Sequence, residues 1–254
     1  MSDPTVVDDS ITSSTAIVEA PAKAVTATAV ADKDAATPLP KAEPPARTRT
    51  RAVIFLLSRD GHRRFYSDFA ESESPNEEAQ EIFELSKKWA QVVKDNSPGD
   101  PIDVKFFDSL NEFVGSSPDD PQARWKTVWI MTHGFSGKEE RGGTPELFFG
   151  SELYSPSDLD AFMTGYPPQI TSFRGMFDQS SELRIVACEI ADLNTSIGVK
   201  LRELIGTKGP VIMPKAYLNF NASGQLGVPI DLNDVGGTLR PIRADDFVVL
   251  PSIP

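Results

Sequence analysis

Residues 128–134 read VWIMTHG and residues 183–189 read LRIVACE, and the fold turns on these two stretches. Each is a short apolar run that stops at a chemically active residue, His133 in one and Cys188 in the other. Runs that are apolar at successive rather than alternate positions mark strands buried on both faces of a sheet. Residues 52–58, AVIFLLS, and residues 210–220, PVIMPKAYLNF, read the same way. DVKFFDSL at 103–110 reads as a further strand or edge, and ELFFGSEL at 146–153 as a short strand or hairpin.

Helical patterns lie between these runs. In residues 75–93, PNEEAQEIFELSKKWAQVV, the side chains Ile82, Phe83, Leu85, Trp89 and Val92 recur at helical spacing behind an acidic first turn. Residues 194–206 give a second helix, and residues 155–163 a third with Ser155 or Ser157 as its cap. Strands alternating with helices predict an α/β sandwich with a largely parallel central sheet. In such sheets the working groups gather at the carboxyl ends of the strands, where His133 and Cys188 both stand.

The chain has 254 residues, 39% of them apolar, which is enough for one domain and a tail. Residues 1–49 are rich in Ala, Thr and Pro and contain no aromatic residue, so they are expected to be a disordered leader. Residues 50–221 form the predicted α/β domain, and residues 222–254 a loop-rich extension packed on it. Residues 59–76 read as a long polar loop, with His62 on the surface and Arg59, Arg63 and Arg64 as a solvated basic patch. That loop and the stretch 137–143 are where a gate over the site is expected.

A net charge of −12 argues against nucleic acid and against an anionic membrane as partners. No apolar stretch approaches the roughly 20 residues that span a bilayer, and residues 1–10 do not resemble a secretory signal. The reading is therefore intracellular, with a cytoplasmic location. One cysteine and two histidines allow no internal disulfide and no standard zinc site. No metal and no cofactor are expected.

A lone cysteine and a histidine at neighbouring strand ends suit nucleophilic catalysis. A thiol with a pKa of about 8.5 is only slightly ionised at neutral pH, and an adjacent imidazole is the usual means of removing its proton. The helix after Cys188 is a second expected source of thiolate stabilisation. Acyl transfer also needs donors for the developing oxyanion. The backbone N–H groups of Gly134 and Cys188 are the candidates, Gly134 because it lacks a β-carbon.

The order strand-His-Gly, then roughly fifty residues, then strand-Cys resembles the caspase-like superfamily of cysteine peptidases. THGFSG, ELFFGSEL, LRIVACEIAD and the helix ending in KLRELIG succeed one another as in its bacterial members, over residues 51–221. The resemblance implies a three-layer caspase-like sandwich and a His133–Cys188 dyad. It implies cleavage of peptide bonds through a thioacyl-enzyme intermediate, with a protein or peptide substrate and an activating partner. The Gln-Ala-Cys signature of caspases themselves is absent, since Val186 precedes Ala187, so no preference for aspartate carries over. Asp192 is instead the candidate to receive a basic side chain.

Two other classes compete. HGFSG resembles the oxyanion loop of α/β-hydrolases, but those need a later histidine, and His133 is the last in the chain. The second is a catalytically silent caspase-like domain acting as a protein-binding module.

Overall fold

The computed structural model describes residues 49–97, 99, 101–136, 143–192, 194–230 and 238–254. The expected leader lies outside the described residues apart from Arg49, as does the stretch 137–143 apart from Gly143.

In chain order the elements are β1 (Arg49–Leu57), α1 (Arg59–Asp68), α2 (Pro75–Asp95), β2 (Ile102–Phe107), α3 (Leu110–Val114), β3 (Ala123–Met131), β4 (Gly134–Phe135), β5 (Glu146–Phe148) and β6 (Leu153–Tyr154). Next come α4 (Pro156–Gly165), α5 (Pro167–Arg174), β7 (Phe177–Val186), α6 (Ser196–Ile205), β8 (Val211–Pro214), β9 (Asn219–Phe220), β10 (Leu226–Pro229), β11 (Leu239–Arg240) and β12 (Phe247–Leu250).

The central sheet has the order β2-β1-β3-β7-β8-β12, parallel except for β12, which runs antiparallel to β8. β1 sits inside it because residues 52–57 are all buried and apolar, so neither face is suited to water. Val53, Phe55 and Leu57 join one core with α3, α4, α5 and α6, through Phe113, Leu159, Phe173 and Leu201 among others. Ala52, Ile54 and Leu56 join a second core on the opposite face, with Trp89 and Ala90 of α2 and Phe220 of β9. Helices thus cover both faces, as the sequence pattern implies.

Local chemistry sets the helix ends. The Ser58 hydroxyl accepts from the Gly61 N–H to cap α1. α2 begins at Pro75 with Glu77 and Glu78 in its first turn. Ser155 and Asp158 form a reciprocal capping box on α4, and α6 stops at Gly206, which takes the left-handed conformation at φ 75°.

Two regions differ from their sequence reading. Residues 59–68 are the helix α1 rather than the start of a loop. The extension 222–254 also does more than pack on the domain: β10 pairs with β9, and β12 supplies the sixth strand of the central sheet. Among the described residues, no helix is long and apolar enough to cross a membrane.

The first connections run outward from β1 to β2 on one side, while the chain next returns to β3 on the other. That reversal makes the ends of β1 and β3 a topological switch point, where a crevice forms between diverging connections.

Candidate active site

The register of β3 and β7 brings the two expected residues together. Ile130 pairs with Ile185 and Met131 with Val186, and the Thr132 N–H continues the ladder to the Val186 carbonyl at 3.1 Å. Two residues beyond Met131 and Val186 lie His133 and Cys188, at equivalent positions just past the ends of adjacent parallel strands. Both line one partly open pocket with about 70 Å3 of water-accessible space, shared with Tyr66, Ile82, Tyr217, Leu218, Phe220 and Leu226. That space admits a few waters.

Backbone contacts hold the histidine segment. The His133 carbonyl accepts from the Phe148 N–H at 3.0 Å, and the Thr132 hydroxyl donates to the Phe148 carbonyl. The His133 ring lies flat on Phe65, with centroids 3.7 Å apart and planes within 6°. Tyr66 meets the same ring edge-on at 5.4 Å.

The unanticipated member is His62. It is fully buried (0% exposed) one turn into α1, and its Nδ1 lies 2.8 Å from His133 Nε2. The surface placement read from its arginine neighbours is therefore overturned. Arg59 and Arg63 do face solvent, but Arg64 is drawn inward to Asp108 and the Gly150 carbonyl, both at 2.9 Å. The signal was present as spacing: His62, Phe65, Tyr66 and Phe69 occupy the i, i+3, i+4 and i+7 positions of one helical face.

Both imidazoles are held neutral. Burial pushes His62 down to about 3. Burial, with the neighbouring His62 ring adding to it, pushes His133 well below the usual histidine range. Among the described residues, His62 Nε2 has no hydrogen-bond partner, although it is buried.

Cys188 is partly exposed and is not hydrogen-bonded to the imidazole. Its thiol donates to the Leu218 carbonyl at 3.6 Å, and the Tyr217 hydroxyl approaches the sulfur. Burial pushes the thiol up to about 11, the Glu189 carboxylate adds to the rise, and the Tyr217 donor only partly offsets them. The facing sulfur in turn raises Tyr217 to about 12. α6 starts at Ser196, close to the expected residue 194, and the chain leaves the thiol through a turn at 189–192 before reaching it. Glu189 adopts φ 45°, and its N–H is anchored on the Ala216 carbonyl at 3.2 Å.

Gly134 touches this turn. A β-carbon there would lie 2.3 Å from Ile190 Cγ2 and 3.2 Å from the Cys188 carbonyl oxygen, so the absence of a side chain lets the two strand-end segments meet. His133 and Phe148 form a hydrogen-bonded pair, so the alternation of an antiparallel ladder turns the Gly134 N–H away from β5. Asp192 is exposed and does not line the cavity. Compared with known proteins, the chain matches no family model and no curated protein sequence.

Proposed function

We propose that this protein is a cysteine endopeptidase built on the three-layer caspase-like sandwich, with Cys188 as nucleophile and His133 as its base. The observation that carries the reading is the strand register, which sets His133 and Cys188 at equivalent ends of adjacent strands lining one cavity. Neutral His133 takes the thiol proton, and the thiolate attacks the substrate carbonyl. The oxyanion is received by backbone N–H groups, for which the outward-turned Gly134 amide is suited. The imidazolium returns its proton to the leaving amine, and water then hydrolyses the thioacyl-enzyme. The left-handed backbone at Glu189 is consistent with strain held at a reactive turn, at a cost of order 1–3 kcal/mol.

In the resting form the thiol is protonated and only partly exposed, so reaction requires the Cys188 side chain to leave the Leu218 carbonyl and the 217–226 segment to open further. An activating protein partner would act there. The same covering favours a second reading, a silent domain that binds protein partners through this face. A thiol-directed peptide electrophile separates the two. Its adduct maps to one site because Cys188 is the sole cysteine. His133→Ala should slow adduct formation about 100-fold or more, the range of a lost general base. Equal rates in the two proteins would leave only the binding module.

A further inference from the structure

We infer that His62 is a positioning residue that fixes the tautomer of His133, through a hydrogen bond from His133 Nε2 to His62 Nδ1, so that Nδ1 of His133 is left as the proton acceptor for Cys188. The inference rests on the proposed dyad for the direction of the bond, whereas the contact between the rings stands without it. The two ring nitrogens are 2.8 Å apart, within hydrogen-bonding distance, and the rings stand perpendicular at 89°. One nitrogen must donate and the other accept. If His62 donated, neutral His133 would carry its proton on Nδ1, and neither of its nitrogens would have a lone pair free for the thiol proton. If His133 donates, Nδ1 is left as a base.

The surroundings support the second assignment. Phe65, stacked at 3.7 Å on His133, blocks rotation of its ring out of this plane. His62 is sealed among protein atoms and held neutral, so it accepts a proton-bearing neighbour without becoming a cation itself. During the reaction the Cys188 proton moves to His133 Nδ1, leaving thiolate and imidazolium. The Nε2–H···Nδ1 bond to neutral His62 persists and becomes charge-assisted. The proton then leaves from Nδ1 to the departing amine, so His62 gains and loses nothing over the cycle. A histidine retained only as core filling would have both nitrogens satisfied. With Nδ1 accepting, neutral His62 carries its own proton on Nε2, which has no partner among the described residues, a cost that an apolar side chain would avoid.

The full-length chain contains only these two histidines, so its labelled ring nitrogens give a four-signal NMR spectrum. In the wild-type protein at pH 7.5, His133 is expected as a fixed tautomer with the proton on Nε2 and a through-bond coupling to His62 Nδ1. This measurement needs no substitution, and a proton found on Nδ1 of His133 overturns the inference. His62→Gln, whose amide oxygen presents an acceptor, should keep the tautomer and at least a third of the iodoacetamide rate at Cys188. His62→Leu, of similar bulk, should leave His133 as an exchanging tautomer mixture and slow the thiol about tenfold. Loss of tautomer control in His62→Leu, with the alkylation rate unchanged both there and in His133→Ala, would sink the dyad and leave the positioning role standing. An unchanged His133 spectrum in His62→Leu would sink the positioning role alone.

Discussion

The two ends of the central sheet bury polar groups in opposite ways. At the start of the strands, Asp103 is fully buried and fully used: Arg51 Nε donates to it at 2.6 Å, Trp125 Nε1 at 2.8 Å and the Asp119 N–H at 3.2 Å. At the finish of the strands, two neutral imidazoles share one hydrogen bond and leave a buried nitrogen unpaired. The first end meets the ordinary requirement that a buried charge be paired and saturated with donors. The second departs from it beside a strained turn and a covered thiol. One end locks the sheet, whereas the other carries the proposed site.

Breaking the locked end has the larger expected effect. Asp103→Ala strands the Arg51 guanidinium and the Trp125 N–H, which should lower the free energy of unfolding by about 3–5 kcal/mol in a denaturant titration. The residual folded fraction should still react with iodoacetamide at the wild-type rate. A thiol that slows in proportion to the lost stability would mean that the two ends are not separable.

Acid should act at the other end. His62 and His133 are both depressed in the folded state, so the unfolded chain binds more protons once the pH falls below the ordinary histidine value of 6.5. Stability is therefore complete above that value and falls as the pH drops through it. Two such groups imply a loss of about 2.5 kcal/mol between pH 7 and 5.5, a window in which paired carboxylates remain ionised in both states. His62→Gln should remove about half of that slope. A flat profile over this window would show that the rings are not sealed as neutral species.

The difference between the ends also explains what could be read in advance. β1 was legible because burial on both faces demands an uninterrupted apolar run, β3, β7 and β8 because their buried positions fall in short apolar runs, and α2 and α6 because one buried face imposes a helical period. His133 and Cys188 were legible because each terminates such a run. His62 was not, since four arginine and aspartate neighbours at 59, 60, 63 and 64 mask a buried face made of only four side chains. β12 escaped for another reason: it is a four-residue edge strand with one side to solvent, and its antiparallel place on β8 depends on chain folded long before it. Tyr217 and Leu218 lie in an irregular link between β8 and β9, whose position over the thiol no local pattern encodes.

That link gives the smallest expected effect and the sharpest view of the reactive end. Burial is the leading reason the Cys188 thiol is raised to about 11, and the half-exposed Tyr217 ring is part of the cover. Tyr217→Ala removes one weak donor to the sulfur but admits water, and the solvation gained should outweigh the donor lost. The thiol pKa should fall by about one unit, and alkylation by iodoacetamide at pH 7.5 should accelerate about tenfold, equivalent to about 1.4 kcal/mol. Tyr217→Phe retains the cover and loses only the hydroxyl, so it should raise the pKa slightly and slow the reaction. If Tyr217→Ala and Tyr217→Phe both slow it, the hydroxyl rather than the cover governs the sulfur, and Tyr217 belongs to the donor set of the site instead of its lid.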